Sequence, residues 1–134
     1  MKPGYVEVPT PCGATCDLEI SEEVSQSVGD VLSMVGDKWS LLVVHRLSRG
    51  GLRFSELRRE LGPISKKVLA ATLRGLERDG YLSRTVTPSV PPRVDYELTR
   101  LGQEVLTPVT ALATWAMANR PEVEAARTRF DRRR

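Results

Sequence analysis

The chain has 134 residues, 40% of them hydrophobic and 28% charged, the balance of a globular domain with one core. No apolar run reaches the length of a bilayer span, and the N-terminus lacks the basic start, apolar stretch and cleavage site of a signal peptide. A cytoplasmic protein is therefore expected. Net charge is only +3, yet residues 1–48 carry 3 Lys/Arg against 7 Asp/Glu, residues 49–100 carry 11 against 6, and residues 101–134 carry 6 against 4. A basic excess confined to the middle is either a footprint for phosphate or a solvated surface, and shape must decide between them.

In chain order, residues 1–20 hold Pro3, Gly4, Pro9, Pro11 and Gly13 and read as a flexible N-terminal arm. From Ser21, Val24, Val28, Val31, Leu32 and Val35 recur at helical spacing. Gly36 breaks that run, and Asp37 can cap a second helix that turns Trp39, Leu42, Val43 and Leu47 inward and stops at Gly50-Gly51. A short helix over about Phe54–Leu61 buries Phe54, Leu57 and Leu61, with Arg58 and Arg59 outward, and ends at Gly62-Pro63. Ser65 can cap the next helix, whose apolar stripe is Leu69, Leu73 and Leu76.

Opposite that stripe, Lys67, Ala71, Arg74 and Arg78 share a face, kept low by Ala70 and Ala71. Asp79-Gly80 ends the helix. Leu82–Thr87 and Val94–Leu98 then read as strands, with Pro88, Pro91 and Pro92 forcing an extended loop between them. Thr99 caps a final helix to about Asn119, in which Pro108 should introduce a kink; residues 120–134 read as a basic C-terminal tail. Four helices, two strands around a loop and a long helix make a mainly α fold with a small antiparallel β wing, a winged helix-turn-helix. Its most informative stretch is Ile64–Gly102, which joins the basic helix to the wing.

The same residues carry a family resemblance. Gly36-Asp37-Lys38-Trp39, Arg53-Phe54-Ser55-Glu56-Leu57, Ile64-Ser65-Lys66-Lys67-Val68-Leu69, Leu73, Leu76-Glu77, Asp79-Gly80, Arg84 and Pro91–Thr99 follow one another in order. Gly102, Leu106–Val109 and Trp115 complete the set. Over roughly residues 27–118 the chain resembles the HxlR-type winged helix-turn-helix regulators of bacteria. The resemblance implies a domain over residues 21–119 and a homodimer built by N- and C-terminal helices, the latter at about 99–119. It implies a sequence-specific transcriptional regulator, in the first instance a repressor, on a near-palindromic operator in double-stranded DNA. Several such proteins sense electrophiles or oxidants through a cysteine just before the first core helix. Here that position falls near Ser25 or Gln26, neither a cysteine.

Ser65, Lys66, Lys67, Ala70, Ala71 and Arg74 are the candidate DNA-facing residues of the recognition helix. Arg74 suits a guanine edge; Lys66 and Lys67 suit backbone charge. The alternative is a solvated face. Arg93 at the wing can enter a minor groove or remain a surface arginine, and Arg58 and Arg59 can touch the DNA backbone or simply face water. Cys12 and Cys16 can form a redox pair or be two incidental thiols on the arm. With one histidine the chain cannot complete a Cys/His zinc cage, so no metal or cofactor is expected. Nothing surrounds His45 as a catalytic partner, so an enzyme is not expected. A small-molecule effector has no residue cluster pointing to it. The rival reading is a winged-helix protein-interaction module that never touches DNA.

Overall fold

The computed structural model describes residues 19–133. In order these form α1 (Glu22–Gly36), α2 (Lys38–Leu47), β1 (Leu52–Arg53), α3 (Phe54–Leu61), α4 (Lys66–Arg78), β2 (Leu82–Thr87), β3 (Arg93–Leu98) and α5 (Arg100–Arg132). By internal contacts the chain falls into two units, one of Ile20–Leu106 and one that contains α5 from Thr107 onward.

Each helix start is fixed by a side chain that accepts an otherwise unpaired backbone N–H. Ser21 Oγ accepts from Val24 N at 3.2 Å, and Ser65 Oγ from Val68 N at 3.1 Å. Asp37 caps α2 from both oxygens: Oδ1 accepts from Trp39 N at 3.2 Å and Oδ2 from the Ser40 hydroxyl at 2.8 Å. That second bond lets polar Ser40 lie buried on the inner face of α2, a position the apolar periodicity does not indicate. At α3, Glu56 Oε1 accepts from Arg53 N at 3.0 Å, and this bond, helped by the Arg53 charge, holds the Glu56 carboxyl below its ordinary value of 4.5.

Helix α4 ends in a Schellman motif. Tyr81 N donates to Leu76 O at 2.9 Å and Gly80 N to Glu77 O at 3.0 Å, with Gly80 at φ +84°, a conformation open to glycine without strain. The chain then enters a three-stranded antiparallel sheet of order β1-β3-β2. Strands β2 and β3 pair from Leu82↔Leu98 to Thr87↔Arg93, leaving residues 88–92 as the connecting loop. Strand β1 was absent from the expected order. Two residues are too few for an alternating pattern, and they are extended only because β3 offers an edge, pairing Leu52↔Tyr96 and Arg53↔Asp95.

Thr99 ties the last helix to the end of α4. Its hydroxyl donates to Gly80 O and accepts from Gly102 N, while Thr99 N donates to Tyr81 O at 3.1 Å. Contrary to expectation, α5 does not stop near Asn119 but runs on to Arg132, so much of the expected tail is helical. Pro121 removes one donor, but the residues beyond it are mostly good helix formers, and an Arg120–Glu124 ion pair at 2.9 Å brackets the proline.

The core lies in Ile20–Leu106. Val43, Val44 and Leu47 of α2, Leu57 of α3, Leu69, Leu73 and Leu76 of α4, Leu82 of β2 and Tyr96 of β3 are all buried. Ile64, in the α3–α4 turn, joins them. From α1 only Met34 is buried; Val28 and Leu32 of its apolar stripe are 47% and 56% exposed.

Candidate nucleic-acid interface

Helices α3 and α4 are joined by residues 62–65, and three anchors fix the turn. Ile64 is buried, Ser65 caps α4, and Arg58 Nε donates to Ile64 O at 3.2 Å. Sequence reasoning offered Arg58 as a DNA contact or a solvated residue. It is half-buried and holds the turn, while Arg59 beside it is exposed and without an ion-pair partner among the described residues. A turn pinned at these points fixes the direction in which α4 leaves the domain.

Burial of Leu69, Leu73 and Leu76 sets the rotation of α4. Lys66, Lys67, Ala71, Arg74 and Arg78 are exposed on the outer side, and Ala70 is half-buried at its edge. Among the described residues no carboxylate pairs with Lys66, Lys67, Arg74 or Arg78, whereas Arg46, Arg53, Arg93, Arg100 and Arg120 each have one. The α4 face is thus a strip of uncompensated cations over small side chains. It can approach a polyanion without first breaking ion pairs. The Ser65 hydroxyl is committed to its cap but stays exposed at the start of the strip.

The wing treats its two arginines differently. Arg93 Nε donates to both oxygens of Asp95, at 3.0 and 3.3 Å, so the charge of the expected wing contact is met within its own strand. Arg84 pairs in register with Tyr96 and is exposed, with no ion-pair partner among the described residues. It lines, with Ala70, Leu73, Arg74, Glu77 and Tyr96, a cleft of about 290 Å³ between α4 and the sheet. Sequence reasoning used Arg84 only for the family likeness. Strand alternation was the available signal: with Leu82 turned inward, Arg84 two residues on faces the same side.

Comparison with known proteins decides the family. Residues 34–124 match the family described as HxlR-like helix-turn-helix. The chain belongs to this family. It is 48% identical over 98 residues to an HTH-type transcriptional regulator, YtfH, of Escherichia coli, covering 73% of this chain and 78% of that one. Among solved structures, the transcriptional regulator ytfH of Salmonella typhimurium is 43% identical with a TM-score of 0.65, over 82% of this chain and 99% of that one. The reduced form of the transcriptional regulator YodB from B. subtilis is 30% identical with a TM-score of 0.63, over 73% and 92%. The expected family and winged-helix fold are both borne out.

Cys12 and Cys16 lie outside the described residues. Trp39 packs against the core with Lys38 Nζ 5.0 Å from its ring centroid, and His45 is exposed. A groove between α1, α2 and α4 is lined by Asp30, Asp37, Asp79 and Tyr81, among others. There burial first, and the charges of Asp79 and Asp30 next, hold the Tyr81 phenol above its ordinary value of 10.0, so it stays a neutral donor. Among the described residues no three His, Cys, Asp or Glu side chains are grouped to hold a metal ion, and no helix is long and apolar enough to cross a membrane.

Proposed function

We propose that this protein regulates transcription in the cytoplasm by binding operator DNA as a homodimer, with α4 of each copy in a major groove. The single observation that carries the reading is the outer face of α4, where exposed Lys66, Lys67, Arg74 and Arg78 have no carboxylate partners among the described residues and Ala70 and Ala71 keep the surface low. Ser65, Lys66, Lys67, Ala70 and Ala71 meet the groove and its phosphates. Arg74 offers the planar fork that suits a guanine edge. Arg58 serves DNA binding chiefly by holding the turn, and Arg93 is the weaker candidate because Asp95 competes for it.

Support for the dimer comes from apolar surface at the chain's two end helices. Val28 and Leu32 of α1 are exposed, and along α5 Val109, Leu112, Ala116, Val123, Ala126 and Phe130 occupy positions of an alternating three-and-four repeat, whose remaining position holds the buried, polar Asn119. That repeat is the pattern of a helix that packs lengthwise on another helix. Two α4 helices related by a two-fold axis require half-sites about one turn, roughly 34 Å, apart. Repression follows most simply, by occlusion of a promoter.

The test compares operator and random duplexes by fluorescence anisotropy. Arg74→Ala is expected to weaken operator binding and relax base preference, losing about 1–3 kcal/mol of discrimination. Lys67→Ala should weaken both duplexes alike. Equal loss on both duplexes for both variants would refute the division of roles.

A further inference from the structure

We infer that the wing contributes to DNA binding through Arg84 at its base rather than Arg93 near its tip, and that the cleft between Arg84 and Arg74 receives a sugar–phosphate strand of the duplex. This rests on the DNA-binding reading above and adds to it a residue and the chemical group it takes.

Sheet register supplies the first reason. Leu82, Arg84 and Val86 of β2 and Val94, Tyr96 and Leu98 of β3 are cross-strand partners on one face. That face carries Leu82 and Tyr96 into the core and therefore looks toward α4. Arg93 and Asp95 belong to the opposite face, with Ser83, Thr85, Thr87 and Glu97. An arginine on that side points away from a duplex held by α4.

The second reason is charge. Asp95 already accepts from Arg93 Nε through both oxygens, so the Arg93 charge is offset where it stands, and a phosphate drawn to its remaining Nη donors would lie close to a carboxylate. The loop between the strands, residues 88–92, contains no cation at all. Arg84 is then the cation that the wing can offer without such a cost.

Geometry supplies the third. If α4 lies in a major groove with the wing beside it, the backbone strand bordering that groove must cross the space between them. In this structure that space is the cleft of about 290 Å³, with Arg74 and Arg84 on its rim, Ala70 giving room, and Tyr96 on its floor. A guanidinium fork matches two phosphate oxygens. Glu77 also lines the cleft, and its carboxylate opposes a phosphate, setting an upper limit on affinity that its removal should raise.

Arg84 is exposed, so its replacement should leave the fold intact, which thermal unfolding can verify for each variant. The experiment measures affinity for a selected operator and for a random duplex across a series of salt concentrations. Arg84→Ala should weaken both about tenfold and reduce the slope of log affinity against log salt by about 0.9, as loss of one phosphate contact does. Arg84→Lys should recover most of the slope, Arg93→Ala should change affinity less than about twofold, and Glu77→Gln should tighten binding. If Arg93→Ala removes the contact and Arg84→Ala does not, the inference is overturned while the DNA-binding reading stands. If the wild type binds neither duplex, the DNA-binding reading itself fails, and this inference with it.

Discussion

Gly102, in the first turn of α5, lies tightly against the turn after α4 and the end of β3. A Cβ at this position would collide with the carbonyl oxygen of Tyr81 and lie 3.0 Å from Leu98 Cδ2. The Tyr81 carbonyl is backbone, held by Thr99 N, and cannot swing aside as the end of a flexible side chain could. Gly102→Ala is therefore expected to destabilise the domain by about 1–3 kcal/mol despite its better helix propensity, read as a lower urea midpoint. At Glu56 the direction is set by pH. Its folded carboxyl titrates below the ordinary value, so its contribution is present above that value and is lost as pH falls through the folded one. Glu56→Gln should flatten the acid limb of the stability profile; an unchanged limb would contradict the cap.

At the scale of elements, much of the fold was legible because it repeats. The stripe of Leu69, Leu73 and Leu76 and the caps at Asp37 and Ser65 fixed α2 and α4, and the structure places the expected α4 cations outward. What escaped was what has no period or no local cause. Strand β1 depends on an edge provided more than forty residues later, and Arg58 finds its carbonyl acceptor in the turn that follows its helix. Helix α5 runs past the expected end near Asn119 because the residues after Pro121 are mostly good helix formers, a preference masked by the polar and basic composition of that stretch. The Thr99 hydroxyl links the turn after α4 to the first turn of α5, so Thr99→Val should lower stability by about 1–3 kcal/mol through an orphaned cap and an unpaired Gly80 carbonyl. Hydrogen exchange should accelerate at Gly102 and Gln103, the first amides that Thr99 holds.

For the whole molecule, the proposed function requires two copies acting together. On that proposal one α4 meets one half-site, and pairing supplies the affinity and the symmetry. The spaced apolar residues of α5, Leu112 and Val123 among them, are 48% and 39% exposed in the single chain and form a surface suited to a second copy. Leu112→Glu with Val123→Glu should shift sedimentation from dimer toward monomer and weaken operator binding far more than random-duplex binding. The alternatives for Cys12 and Cys16, a redox pair or two incidental thiols, stay open in the sequence because both precede the first recognisable periodicity, and both lie outside the described residues.

The most direct test of the central claim, that the α4 face reads operator DNA as one half of a symmetric pair, is selection of bound duplexes from a random pool followed by sequencing. A near-palindromic site with half-sites about 10 base pairs apart, lost with Arg74→Ala, is the predicted result. Recovery of a pool no different from the starting one, by a wild-type protein that is folded and dimeric, would contradict it.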